Sequence, residues 1–248
     1  QYTPRMQSAI SPAPVLLFLF FSFSLLLHLP LSFIYFLLLF YFFFTSLKLY
    51  LEKNKFKTAE AHELRLAFEE VTGQDLNWFF NQWYFGNGHP YIRITQQYNP
   101  ATKQIMVKLS QTQVQNKLFE LPVGIDIYVG GSRNHYEVWS KNKVDSFFFP
   151  AATAPDNVNV DNDKILLWEK NESKPFNQFI YQFYHARNFM DRNEALNEAV
   201  QNIKNLDAQQ MIQDAMKDSF YIIRTKAIHS LNPASINDQT EKLIQQDR

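Results

Sequence analysis

The sequence predicts a multi-domain α+β protein, and three features predict it. Residues 6–47 contain no Asp, Glu, Lys or Arg. A helical period carrying a dense aromatic block runs to Pro90 and then gives way to a period of two. The helical period returns after residue 173. The expected parts are an apolar N-terminal helix over 1–46, the end of a helical domain over 47–90, a β-sandwich over 91–172 and a helical array over 173–248.

The totals exclude several functions. Lys+Arg and Asp+Glu are both 24 in a chain of 248 residues, so there is no basic surplus of the kind a nucleic-acid partner requires. There is no cysteine, which removes disulfides, thiolate metal sites and a Cys nucleophile. It does not fix the compartment.

Two readings stay open for the first segment. "VLLFLFFSFSLLLHLPLSFIYFLLLFYFFF" at 15–44 exceeds the roughly 20 apolar residues that cross a bilayer, and a Pro such as Pro30 is tolerated in a spanning helix as a kink. A removed signal peptide fits less well, because its apolar core is only about 7–15 residues long. If the segment spans, Lys48, Lys53, Lys55 and Lys57 after it against Arg5 before it hold the rest of the chain in the cytoplasm. The other reading is a mistranslated tract. Phe, Leu, Ser and Pro have pyrimidine-rich codons, and the chain does not begin with Met.

The next elements follow from their punctuation. Lys48 to Phe56 reads as the end of a helix. Thr58 is an N-cap with Glu60 in the first turn. Leu64, Phe68 and Val71 make one stripe, and Gly73 ends the helix. Asp75 caps a second helix in which Leu76, Phe79, Phe80 and Trp83 share a face, closed by Gly86, Gly88 and Pro90. Two short helices cannot cover that much ring surface, since each ring wants about 150 Å² or more buried. The pair is therefore expected at the edge of a larger helical domain, with an exposed patch near Trp78 and Trp83.

Strands are expected from the alternation of Ile92 and Ile94, of Ile105, Val107 and Leu109, and of Val123, Ile125, Ile127 and Val129. "HYEVWS", "SFFFPA" and "KILLWEK" supply more, with "GGSRN" as a hairpin turn. Six or seven short strands read as a sandwich. Phe176 to Asn188, Asp191 to Ile203, Ala208 to Met216 and Tyr221 to Leu231 then read as four helices, with Asp191, Asp207 and Asp218 as N-caps. Their pairing looks like a HEAT-type solenoid, and such an array is expected to continue beyond Arg248.

No motif supplies a complete site. "HELRL" at His62 to Leu66 begins like H-E-x-x-H, but Leu66 stands where the second imidazole belongs, so two ring nitrogens cannot meet one metal ion. His62 is read as a solvent-side residue. His28, His89, His135, His185 and His229 have no ligand spacing. "DNVNVDND" at Asp156 to Asp163 lacks the Gly and Glu of a calcium loop and reads as a solvated turn. No G-x-S-x-G and no phosphate-cradling glycine loop is present. Asn81, Gln82 and Tyr84 stand beside the aromatic stripe, where capping or surface packing is the default.

The stretch "LKLYLEKNKFKTAEAHELRLAFEEVTGQDLNWFFNQWYFGNGHP" resembles the end of the catalytic domain in zinc aminopeptidases of the aminopeptidase N type, the gluzincins. "LFELPVGIDIYVGG", "HYEVWS" and "VNVDNDKILLWEK" are similar to the sandwich that follows it there. The resemblance covers residues from Leu47 to the end. It implies a thermolysin-like domain tail, a β-sandwich and a HEAT-like solenoid, with a peptide substrate for the full-length parent. It also implies zinc as the family's cofactor, bound upstream of the matching stretch. Catalytic, cofactor-binding and metal residues are accordingly none in this chain, which is expected to be inactive by itself. The alternative is a non-catalytic module held by a membrane contact through 15–44 and docking a protein partner through its C-terminal helices.

Overall fold

The computed structural model describes residues 31–114 and 117–230, with side chains from Leu38 onward. Two compact units divide at Gly86. Among the described residues the fold is mixed α+β, with helices in both units and two sheets in the second.

In the first unit, helix α1 (Leu31–Lys53) packs on α2 (Ala61–Thr72). Phe43 meets Phe68 edge-on, with ring centroids 5.8 Å apart, and Lys53 pairs with Glu70. The cap of α2 is Glu60, not Thr58. Glu60 and Glu63 form a reciprocal capping box. Gly73 ends the helix as expected, in the left-handed conformation at φ 68°, where a side chain would be strained.

Among the described residues no helix is long and apolar enough to cross a membrane. The spanning segment expected over 15–44 is not supplied by these residues, and positions 1–30 lie outside the described ones.

The aromatic block departs from the expected stripe. A short helix, α3 (Asn77–Phe79), passes directly into a π-turn over Phe80–Tyr84, in which Phe85 N–H donates to the Phe80 carbonyl at 2.9 Å. An i→i+5 turn holds one residue more than an α-turn, so positions after Phe80 rotate off the predicted face. Phe80 is buried, while Phe79 is 44%, Tyr84 64% and Phe85 58% exposed. The exposed patch exists, but on Phe79, Tyr84 and Phe85; Trp78 and Trp83 are half-buried. The N-cap position is Leu76 and not Asp75, although Asp75 Oδ1 accepts from Asn77 N–H at 2.8 Å.

The second unit opens with strands β1 (Tyr91–Asn99), β2 (Gln104–Gln111), β3 (Leu121–Val129), β4 (Ser132–Ser140), β5 (Val144–Pro150), β6 (Asn157–Val160) and β7 (Glu169–Ser173). They form a four-stranded sheet in the order β5-β2-β1-β7 and a three-stranded sheet in the order β4-β3-β6. Pairing is antiparallel except between β1 and β7. Eight of the nine alternating residues read from the sequence are buried: Ile92, Ile94, Ile105, Val107, Leu109, Val123, Ile125 and Ile127 are each 1% exposed or less, while Val129 is half-buried. The β3–β4 loop is only Gly130-Gly131, both at positive φ, which suits the twist of a two-residue hairpin. Ser132–Asn134 belongs to β4 and not to the turn.

Two strand assignments change. "KILLWEK" is not a strand until Glu169, and Ile165 and Leu167 are each 72% exposed. "DNVNVDND" is not a solvated turn, because Asn157–Val160 is β6 and all four residues are buried.

Helices α4 (Phe176–His185), α5 (Phe189–Gln201), α6 (Leu206–Ala215) and α7 (Tyr221–Ser230) follow, within two residues of the expected starts. Their shared core includes Leu196, Met211, Ile212 and Ile223, each 1% exposed or less. The N-caps of α5 and α6 are Asn188 and Asn205, so Asp191 and Asp207 fall inside first turns, where a carboxylate still complements the helix dipole. Asp218 accepts from Phe220 N–H at 2.8 Å, one residue ahead of α7, and so holds the turn that leads into the helix.

Leu196→Ala removes a fully enclosed side chain and should destabilise the second unit by about 2–5 kcal/mol, read from urea unfolding. Phe79→Ser with Phe85→Ser should lower binding of a hydrophobic dye while leaving the unfolding midpoint unchanged, since both rings are exposed.

Candidate functional site: a polar cleft over a buried ionic network

Strand β6 pairs with β3 on one side only and is an edge of its sheet. An unpaired edge inside a protein must find other partners for its N–H and C=O groups. Here side chains supply them. Lys174 Nζ donates to the Val158 carbonyl at 3.1 Å, and Val158 N–H donates to Gln178 Oε1 at 3.1 Å. Lys164 and Lys170 both reach the Val160 carbonyl at 3.4 Å.

Three buried ammonium groups need countercharge, and Glu172, Asp191 and Glu194 provide it. Lys164 meets Asp191 at 2.8 Å, Lys170 meets Glu194 at 2.9 Å and Lys174 meets Glu172 at 3.3 Å. The remaining acceptors are amides. Lys174 donates to Gln182 Oε1 at 2.6 Å and Asn157 Oδ1 at 3.1 Å, and Lys164 to Asn159 Oδ1 at 2.9 Å. Lys174 also lies 4.6 Å from the centre of the Phe179 ring, an added cation–π attraction.

The electrostatics are those of a mutually dependent set. Burial works against the Lys170 charge, but Glu172 and Glu194 overcome it and push its pKa up to about 12. Burial works against the Glu172 carboxylate too, and Lys174, Lys170 and Lys164 more than compensate, holding its pKa below the ordinary 4.5. Lys174 carries the cost: burial outweighs Glu172 and draws its pKa down. Backbone strain sits beside the network, with Asp161 at φ 57° and Lys164 at φ 54°, conformations that cost a non-glycine residue of order 1 kcal/mol. The turn is held by Asp161 Oδ1, which accepts from Ile165 N–H at 3.1 Å.

Above the network the same strand and helices line a cleft of about 520 Å³. Asn157 and Asn159 of β6, Tyr128 of β3, Tyr181 of α4 and Asp191 of α5 face it. Asp126 is buried there, with Arg133 Nε at 2.8 Å and His135 Nδ1 at 2.8 Å. The Tyr181 and His185 rings stack with centroids 3.9 Å apart and planes at 11°.

The residues singled out in the sequence scatter. His135 and His185 come to this cleft or its margin. His89 instead pairs with Glu169 at 2.8 Å, and His229 lines a second cavity of about 570 Å³ beside Lys226 and Glu198. His62 is exposed, with Nδ1 3.1 Å from an Arg65 nitrogen. Of Asn81, Gln82 and Tyr84, only Gln82 is buried, and all three belong to the first unit. His28 lies outside the described residues. The Lys164/Lys170/Lys174 set was missed. Its only sequence signal is three lysines interleaved with acidic and amide residues, which a solvated loop shows equally. Among the described residues no group of three or more His, Asp or Glu is placed to hold a metal ion.

No protein-family model matches the chain. A stretch of 88 residues is 27% identical to aminopeptidase N of Escherichia coli K12, covering 33% of this chain and 10% of that protein. The fold is similar to the crystal structure of Legionella pneumophila aminopeptidase A in complex with aspartic acid. The TM-score is 0.59 at 14% identity, over 81% of this chain and 26% of that one. The chain thus spans about a quarter of the solved relative, and the likeness at that identity is one of fold.

Glu172→Gln should destabilise the second unit by about 3–5 kcal/mol by leaving buried lysines short of countercharge, measured by urea unfolding. Because the folded pKa of Glu172 is lowered, its contribution is full above pH 4.5 and lost as pH falls through the folded value. Thermal unfolding of the parent should therefore weaken on acidification below pH 4.5 more than that of Glu172→Gln.

Proposed function

We propose that this chain is a section of a metallo-aminopeptidase of the aminopeptidase N type: a domain tail over 47–90, a β-sandwich over 91–172 and the opening helices of a solenoid over 173–248. What supports the reading best is one coincidence. The residues that resemble that family in sequence lie in a chain whose fold matches an aminopeptidase structure over 81% of its length, and 88 residues are related to aminopeptidase N.

The part in hand has an accessory role on this reading. It would wall and cap the cavity through which the parent receives peptide ends, and residues elsewhere in the parent would perform the hydrolysis. The zinc that the family relation implies does not fit these residues. His62 and Glu63 lack a second imidazole one turn on, since Leu66 stands there, and the His62 ring is engaged by Arg65. No catalytic step is therefore assigned to any side chain here.

Reading the messenger upstream of the Leu47 codon tests the proposal. An in-frame H-E-x-x-H with a downstream Glu is expected, and a frame without it removes the aminopeptidase assignment. The chain purified and dialysed against zinc should retain none and release no amino acid from an aminoacyl nitroanilide. Stoichiometric zinc together with hydrolysis would overturn the accessory role.

A further inference from the structure

The chain passes from its first unit to its second at a residue pair with a reactivity of its own. Gly86 ends the first unit and Asn87 begins the second. Asn87-Gly88 is the single Asn-Gly pair of the sequence. Both residues are exposed and belong to no helix or strand. Gly88 has φ 78°, a conformation open to glycine because it lacks Cβ. The same lack removes the group that would hold the Gly88 nitrogen away from the Asn87 side-chain carbonyl. Neither the Gly88 N–H nor the Asn87 side chain has a hydrogen-bond partner among the described residues.

The flanks of the pair are anchored. Phe85 N–H donates to the Phe80 carbonyl at 2.9 Å before it. After it, His89 Nε2 meets Glu169 at 2.8 Å, and the Pro90 carbonyl accepts from Glu169 N–H at 3.0 Å. One distant side chain reaches the pair itself: Lys117 Nζ donates to the Asn87 main-chain carbonyl at 3.4 Å. Lys117 is held in turn, with its carbonyl accepting from Gln113 Nε2 at 2.8 Å and its ammonium 4.7 Å from the centre of the buried Phe119 ring. The Asn87 carbonyl and the Gly88 nitrogen belong to one peptide group. A cation donating to that oxygen draws electron density from the nitrogen and stabilises the anion left when its proton goes. Asparagines elsewhere differ. Asn99 precedes Pro100, which has no N–H to lose. Asn157 and Asn159 precede Val158 and Val160 in the buried strand β6, where a branched Cβ crowds the nitrogen.

We propose that Asn87 is a site of spontaneous backbone modification, promoted by Lys117. The Gly88 nitrogen gives its proton to water or hydroxide and bonds to Asn87 Cγ. The Cγ–Nδ2 bond breaks, and Nδ2 takes a proton from water and leaves as ammonia. The product is a cyclic succinimide, which a second water opens in one of two ways. Cleavage of the new Cγ–N bond restores the ordinary peptide link and leaves an aspartate side chain. Cleavage at the main-chain carbonyl leaves the chain running through Cγ, one methylene longer, with a free carboxylate at the former main-chain carbon. The balance is amide plus water to carboxylate plus ammonia, with no oxidant or cofactor. Either product sets a negative charge near Lys117 in a chain whose formal net charge is zero, and the second lengthens the chain where one unit gives way to the other. The proposal is independent of the aminopeptidase relation.

Incubation of the full chain at mildly alkaline pH and body temperature tests it, read by peptide mass mapping, anion exchange and methyl transfer from an isoaspartyl methyltransferase. The peptide holding Asn87 should convert about tenfold or more faster than those holding Asn157 and Asn159, whose following residues are β-branched. It should take up oxygen from isotopically labelled water, accept methyl groups and move the chain to later elution. Asn87→Gln, at an exposed position, should abolish the conversion with an unchanged unfolding midpoint. Folded Lys117→Gln should slow it several-fold, towards the rate of a free peptide of residues 84–91. An intact Asn87 after incubation, conversion no faster than at the strand asparagines, or a folded chain slower than the free peptide overturns the proposal. An unchanged rate in folded Lys117→Gln overturns the part given to the ammonium group.

Discussion

The second unit depends on how the open edge of β6 is closed. A four-residue strand with a partner on one side leaves carbonyls that no backbone N–H can reach. Three lysines reach them instead, and bring charges that must be answered in the same place. The answering groups come from three elements: Glu172 from β7, Asp191 and Glu194 from α5, Gln178 and Gln182 from α4. The edge of a sheet thereby becomes the anchor for the helices that follow it.

Such an arrangement is weak as a source of net stability and strong as a constraint. Desolvating three ammonium groups and three carboxylates costs several kcal/mol per ion, which the pairings only offset. Removing any one partner exposes the whole cost of the others. The lowered pKa of Lys174 beside the raised pKa of Lys170 expresses that tension, since one cation is compensated in full and its neighbour is not. The left-handed backbone at Lys164 belongs to the same account, a local strain held by the ion pair to Asp191.

How much of this was legible in the sequence varies by element. The period of two found the buried faces of β1, β2 and β3, because alternate burial on a pleated sheet repeats directly in the order of residues. The four C-terminal helices were found for the same kind of reason, their apolar spacing being local. The aromatic block misled, because one π-turn after Phe79 shifts every later ring and nothing in "NWFFNQWYF" announces it. "DNVNVDND" misled more. Its polar residues suggest water, yet Asn159 and Asn157 are buried and held by Lys164 and Lys174, lysines that come 5 and 17 positions later.

The sequence by itself determined the order of parts, the strand faces, the Gly73 stop, the neutral charge balance and the lack of an H-E-x-x-H pair, since each of these is carried by residue type and near spacing. Tertiary structure alone decided that a stretch reading as a solvated turn is a buried edge strand, and that Lys164, Lys170 and Lys174 converge on it. Only the fold sets the distance between residues remote in the chain, and burial, charge compensation and an enclosed cleft all depend on that distance.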